Sequence, residues 1–247
     1  MYKKVFTKLF RSSSQYKNFS EEKFWWDELR RWVRWYEGEL PTHYGVHAPS
    51  EKDKIRSFDT LEKNAAATWT DIYQKKRYTE DLQIPRDKLR NKRILDIGCG
   101  PVPSALVYTE CEIYGLDHLV AVYRKIGFPI DEYNNQHFHF IQAKSEAIPF
   151  ESGFFDTIIS ANAIDHVDDI QKTSKEIQRV LRPDGLFRMH VHYHRPTVTE
   201  PLAFNDNIFK STFSWVKNLR KISSTQTKDL GFTSAPTGEE YVLWGNN

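Results

Sequence analysis

The chain is poor in cysteine. Only Cys99 and Cys111 occur among its 247 residues, which excludes a disulfide framework, and their spacing matches no zinc motif. A reducing cytoplasm is the simplest setting for such a chain. Long apolar runs are lacking too, and nothing approaches the roughly 18 residues that a membrane-spanning helix needs. The basic start MYKKVFTKLFRSSSQYK has no apolar core or small-residue cleavage site, which argues against a signal peptide. A short amphipathic, membrane-touching segment is a minor alternative there. Charge of one sign is absent: 35 Lys and Arg stand against 33 Asp and Glu, a net +2 that points to no polyanionic partner. No repeat or low-complexity tract interrupts the chain. What remains, 39% apolar and 28% charged, is the composition of a globular protein with one sizeable core.

The pattern changes near residue 90. Before it, Phe24, Trp25, Leu29, Trp32, Val33 and Tyr36 recur at helical spacing and predict an amphipathic helix from about Ser20 to Tyr36. Ser20 with Glu21 and Glu22 behind it reads as the N-cap. Further helical pieces are expected over 57–64 and 66–79. The aromatic stripe reads first as core, with a lid over a ligand site as its alternative. Beyond residue 90, apolar runs alternate with helical segments: RILDI, EIYGLD, FHFIQA, FDTIISANA and LFRMHVHYH as strands, with SALVYTE, HLVAVYRKIG and DIQKTSKEIQRVL as helices. A helix around Asn207–Leu219 and closing strands near 222–226 and 240–244 complete the chain. This alternation predicts an α/β fold with a mostly parallel sheet.

In such a sheet, ligands bind beyond the carboxyl ends of the strands. RILDIGCGP places Gly98 and Gly100 where the first strand ends, allowing a tight turn and close backbone approach to a ligand. A dinucleotide fingerprint would have a third glycine where Pro103 stands, and prolines remove the N–H groups that a pyrophosphate uses. Asp96 adds a carboxylate beneath the turn. Asp117, ending the second strand, is placed to accept both hydroxyls of a ribose. A nucleoside carrying an amino acid, S-adenosylmethionine (SAM), fits these features better than NAD.

DIGCGP, Asp117, AKSEAIPF, FFDTIISANAIDHVDD and RVLRPDGLF, in this order, resemble a class I SAM-dependent methyltransferase over about Arg93 to Val191. The resemblance implies a Rossmann-like seven-stranded, mostly parallel sheet flanked by helices, its last strand antiparallel. It divides the chain into a helical N-terminal extension or lid, 1–88, and a methyltransferase domain, 89–247. It implies that Gly98, Cys99, Gly100 and Pro101 line the methionine and ribose parts of SAM, with Asp96 below the methionine end. Asp117 and His118 would lie at the ribose, and Asn162 beside the methionine moiety. The family's usual adenine-binding acid is replaced by Lys144, which cannot accept a hydrogen bond, so Ser145 or Glu146, or backbone groups, are expected to serve. More narrowly, FWWDELRRWV and NAIDHVDD resemble bacterial methyltransferases of surface-polysaccharide (capsule) biosynthesis. That resemblance implies a small acceptor, an oxygen of a sugar or of a phosphorylated or nucleotide-linked precursor.

An alcohol acceptor needs a base, and histidine is the natural one near neutral pH. His190, His192 and His194 alternate along one strand and share a face. His192 and His194 are the candidates nearest its carboxyl end, with Arg195 available for an anionic group. Asp165–His166 follows the fourth strand, where the carboxylate can orient an imidazole. Histidines on one strand seldom converge on one ion, so no metal is expected. An RNA methyltransferase is the alternative, but N-P-P-[YF] is absent where ANAI stands and no half of the chain is strongly basic. A non-catalytic SAM-binding protein is the third reading. The oligomeric state is not legible.

Overall fold

The computed structural model describes residues 14–134, 137–227 and 239–246. The first segment forms one long helix, α1 (Ser14–Glu37), which buries Leu29, Trp32, Trp35 and Tyr36. The expected cap at Ser20 is overturned, because the helix already runs through it. The Ser20 hydroxyl donates to the Tyr16 carbonyl at 2.8 Å, the bond a serine makes inside a helix. A small hairpin, β1 (Thr42–His43) with β2 (Val46–His47), follows.

Next come α2 (Leu61–Trp69), a π-helical turn (Thr70–Gln74) and α3 (Lys75–Leu82), running on without a break. The Thr60 hydroxyl caps α2 by accepting from the Lys63 N–H. The expected division between residues 64 and 66 is absent, since Ala65, Ala66 and Ala67 are strong helix formers and carry the helix through. At the π-turn the Lys75 N–H bonds the Thr70 carbonyl, a wider loop than an α-helix makes.

The second half forms β3 (Arg93–Ile97), β4 (Glu112–Asp117), α4 (Val120–Ile126), α5 (Ile130–Tyr133), β5 (Phe138–Gln142) and β6 (Phe155–Ala161). It continues with α6 (Ile170–Val180), β7 (Leu181–Tyr193), α7 (Asp206–Thr212), β8 (Arg220–Gln226) and β9 (Glu240–Gly245). These strands make a seven-stranded sheet of order β5-β4-β3-β6-β7-β9-β8. Strands β3 to β7 pair in parallel, while β9 lies antiparallel between β7 and β8. The expected fold class is observed. Because β4 and β6 flank β3 on opposite sides, the switch point falls at the carboxyl end of β3.

Two helices came out shorter than expected. SALVYTE holds only a 3₁₀ turn, Ser104–Val107, after which Tyr108 is extended. The β-branched and aromatic run Val107–Tyr108–Thr109 disfavours helix, and Tyr108 is buried instead. The helix at 207–219 stops at Thr212, where the chain turns so that Phe213 and Val216 enter the core.

Both faces of the sheet are covered. On one, α6 and α7 pack Ile177, Val180 and Phe209 against Phe187, Met189 and Trp244. On the other, α3 lays Tyr78 and Leu82 on Ile94, Ile159 and Leu243. A separate aromatic cluster joins α1 and α2 to α4 through Trp32, Trp69, Tyr123 and Phe128.

Candidate functional site

The glycine turn stands at the switch point. Gly98 and Gly100 both have φ +67, a conformation in which a β-carbon is strained. A β-carbon on Gly98 would also come within 2.2 Å of the Ala163 side chain. The Gly98 N–H donates to the Leu116 carbonyl at 2.8 Å, tying the turn to β4. Asp117, at the end of β4, accepts from Gly100 N–H at 3.1 Å and Leu119 N–H at 2.9 Å. Burial raises its carboxyl above the ordinary value. Gly98, Cys99, Gly100, Pro101, Asp117 and His118 all line one cavity of about 570 Å³.

Asp96 does not line that cavity. It is fully buried behind the turn, where the Tyr78 hydroxyl of α3 donates to both its oxygens at 2.8 and 3.0 Å. Burial pushes its carboxyl up to about 7. Its role in this geometry is to anchor α3 under the turn. Burial likewise raises the Cys99 thiol, so Cys99 is no nucleophile.

The first half of α1 lines the cavity with Lys17, Glu21, Phe24 and Trp25. Glu21 bonds His118 Nε2 at 3.1 Å and His166 Nδ1 at 3.2 Å. Burial opposes its ionisation, but the two imidazoles and Lys17 outweigh that and hold the carboxyl down at about 2. Lys17 bonds the His166 carbonyl and pairs with Asp168 at 2.9 Å. Trp25 packs edge-on against Tyr123 and Phe128 and lines the cavity. Different turns of α1 therefore have different surroundings. Lys17 to Trp25 face the cavity, and Leu29 onward faces the core.

Lys144, Ser145 and Glu146 also line the cavity. Lys144 is drawn to Asp168 at 2.7 Å, and the buried Ser145 hydroxyl meets Thr173 at 3.1 Å. Glu146 accepts from the N–H groups of Asp168 and Asp169 at 2.7 and 3.1 Å. These side chains organise the approach to α6. Asn162, left-handed at φ +53, donates its N–H to the His190 carbonyl at 2.8 Å.

The remaining wall comes from the π-turn, α3, β7 and β9: Tyr73, Arg77, Asp81, His190 and Tyr241. The His190 ring stacks on Tyr241, with centroids 5.2 Å apart and planes at 7°. Its Nδ1 is buried without a hydrogen-bond partner and lies 4.0 Å from Asp81 Oδ2. Burial lowers its pKa to about 4, so the imidazole is neutral near pH 7. Burial pushes the Asp81 carboxyl up to about 6 despite Arg77 at 3.1 Å.

Of the four residues expected to do chemistry, His166 alone lines the cavity. Burial disfavours its charged form, yet Glu21, Asp165 and Glu200 raise its pKa on balance. His192 stacks on Tyr241 at 4.4 Å and bonds Glu239 at 3.1 Å. Asp165 does orient an imidazole, but it is that of His194, at 3.1 Å, and it pushes that ring up to about 9. The missed wall residues Tyr73, Arg77, Asp81 and Tyr241 carried no motif. His190 was legible as part of the histidine stripe. What the sequence did not show is that it pairs with Ala161, the last residue of β6. That register sets His190, rather than its successors, level with the strand ends.

A Rossmann-like sheet with antiparallel β9, a glycine turn and an acid ending β4 are the features expected of the methyltransferase class. The comparisons agree: residues 95–189 match the family described as "Methyltransferase domain". Residues 95–189 are thus similar to the class I methyltransferases, whose cofactor is S-adenosyl-L-methionine. An uncharacterized methyltransferase, YcgJ of Bacillus subtilis, is 32% identical over 103 residues, 41% of this chain and 41% of that protein. A malonyl-[acyl-carrier protein] O-methyltransferase of Enterobacter lignolyticus is 33% identical over 102 residues, 39% of this chain and 38% of that protein. The chain thus spans less than half the length of these curated relatives. Among solved structures, a putative sarcosine dimethylglycine methyltransferase from Galdieria sulphuraria superposes with TM-score 0.53 at 17% identity, over 90% of this chain and 98% of that one. YcgJ superposes with TM-score 0.51 at 18% identity, over 70% and 97%. At these identities the structures speak for the fold alone.

Proposed function

We propose that this protein is an enzyme that transfers the methyl group of SAM to an oxygen of a small polar acceptor. The acceptor lies between α3, β7 and β9. SAM supplies an activated methyl on a sulfonium, and the cavity residues fit its carrier: Asp117 is placed for the ribose hydroxyls, and the Gly98–Gly100 backbone for the amino-acid end. In-line displacement draws much of its rate from alignment, which a cavity walled by several elements can provide. The observation that carries the reading is the placement of His190. Its imidazole, stacked on Tyr241 and 4.0 Å from Asp81, lies in the same cavity as the glycine turn, where a nitrogen lone pair can meet an acceptor hydroxyl. Residues 1–88 act as a cap on a domain spanning 89–247.

The acceptor we propose is a sugar unit of a bacterial surface-polysaccharide precursor. The likeness of FWWDELRRWV and NAIDHVDD to methyltransferases of that chemistry supports it. So do Tyr73 and Tyr241, aromatic walls suited to the apolar face of a pyranose. The cavity's Lys17, Lys144 and Arg77 are each paired with a carboxylate, which favours recognition through the sugar hydroxyls over a phosphate. The names of the curated relatives range from an acyl-carrier O-methyltransferase to sterol 24-C-methyltransferases, so they single out no acceptor. The test is calorimetry with SAM and S-adenosylhomocysteine, followed by a SAM-consumption screen over free, phosphorylated and nucleotide-linked sugars. Turnover confined to sugars supports the proposal. Absence of SAM and S-adenosylhomocysteine binding at millimolar concentration overturns it, and turnover on RNA alone replaces it.

A further inference from the structure

We propose that the carboxyl end of β7 and the loop after it bind one divalent transition-metal ion, with His192, His194 and Glu200 as ligands and Asp165 beside them. One donor atom from each of His192, His194 and Glu200 lies within 4.8 Å of the others. Asp165, His166 and Glu200 form a second such trio sharing Glu200.

The charge balance is the first argument. Asp165 faces His194 at 3.1 Å, Glu239 faces His192 at 3.1 Å, and Glu200 faces His166 at 3.8 Å. Among the described residues, no lysine or arginine pairs with any of these carboxylates. Three carboxylates thus meet at this group of imidazoles without a lysine or arginine among them, and Asp165 is fully buried. A buried charge without compensation is costly, and a divalent cation supplies the missing sign.

The second argument is hydrogen bonding. Asp165 Oδ1 is buried and has no partner. His194 Nδ1 lies 2.6 Å from the Arg195 carbonyl, the contact a ligating histidine makes when its second N–H is held by backbone and its other nitrogen faces the ion. Glu200 is fixed by Thr197, whose hydroxyl donates to its carboxylate at 2.9 Å. Mixed imidazole and carboxylate donors suit Zn²⁺ and its first-row neighbours. Histidines alternating on one strand do not by themselves converge on an ion. Here the carboxylates arrive from the loops after β6 and β7, a placement the sequence does not reveal.

The competing way to neutralise the cluster is protonation of the imidazoles, and Zn²⁺ titration separates the two. The whole chain is stripped with chelator and titrated with ZnCl₂ against a chromophoric competitor, with metal content measured after dialysis. Circular dichroism reports folding, so the outcome does not depend on the methyl-donor reading. One Zn²⁺ per chain is expected, with proton release on binding. His192→Ala and Glu200→Gln should each weaken it by about 100-fold or more, since losing a ligand exceeds the 10–100-fold of an outer-shell loss. His47→Ala, at an exposed histidine on the small hairpin, should leave the affinity unchanged. No stoichiometric Zn²⁺ on the folded protein overturns the proposal, as does an affinity that both site substitutions leave intact. If His192→Ala does not fold, Glu200→Gln in the loop decides by the same criterion.

Discussion

The indole of Trp25 lies over Gly100, so close that a β-carbon on that glycine would sit 3.5 Å from the ring. One residue belongs to the N-terminal helix and the other to the glycine turn. On the proposed function, donor binding and the seating of α1 are coupled at this contact. Trp25→Ala should speed release of S-adenosylhomocysteine, measured by stopped-flow displacement, while the thermal midpoint falls by no more than other partly buried aromatic truncations. Unchanged release would show that α1 does not gate the cavity.

Gly98→Val should abolish binding of S-adenosylhomocysteine in calorimetry and lower stability as well. The new side chain meets Ala163, and the left-handed backbone adds about 1–3 kcal/mol of strain. Wild-type affinity in a folded Gly98→Val protein would remove the turn from the donor site.

Asp117→Ala should weaken S-adenosylhomocysteine by about 1–3 kcal/mol, because the ligand hydroxyls lose their acceptor in a buried setting. The Gly100 and Leu119 N–H groups lose theirs too, so a fall in thermal midpoint should accompany the loss. A normal dissociation constant would place the ribose elsewhere.

Turnover should fall about 10²–10⁴-fold in His190→Asn with SAM affinity nearly unchanged. The imidazole stays neutral down to its pKa of about 4, so the rate should hold steady as the pH falls from 7 towards 5. His166→Ala should raise acceptor KM, whereas His192→Ala and His194→Ala, outside the cavity lining, should affect stability more than kcat. Wild-type kcat in both His190→Asn and His166→Ala would leave alignment alone to explain the rate.

The strap formed by Glu21 has a defined pH window. Its carboxyl is held at about 2 against an ordinary 4.5, so its contribution is complete above the ordinary value and is lost as pH falls towards 2. His166 is raised above 6.5, so its contribution is complete below that value and is lost as pH rises through the folded pKa. Hydrogen-exchange protection of α1 relative to the sheet should therefore be greatest between about pH 5 and 6.5. Protection that rises steadily to pH 8 would show the pairing to be irrelevant.

The strands were legible because β3, β4 and β6 are buried on both faces and read as apolar runs. The glycine turn was legible because a left-handed backbone favours glycine, and Gly98 and Gly100 both adopt one. The wall formed by α3, β7 and β9 was not. Arg77 and Asp81 look like an ordinary i,i+4 pair on a solvated helix. Only the packing of α3 against β7 turns Asp81 towards His190. Strand register hid which histidine meets the cavity, and the contact of α1 with the loop after β6 spans 145 residues of sequence.

The π-turn at Thr70–Gln74 has a consequence for how this protein changes over time. It sits between a helix committed to the aromatic cluster and one committed to the cavity wall. Removing the extra residue would rotate α3 by about 100° about its axis. Asp81 and Tyr78 would swing away from His190 and Asp96, yet no residue touching the glycine turn would have mutated. One insertion or deletion at this joint can reshape one wall of the cavity while the glycine turn stays as it is.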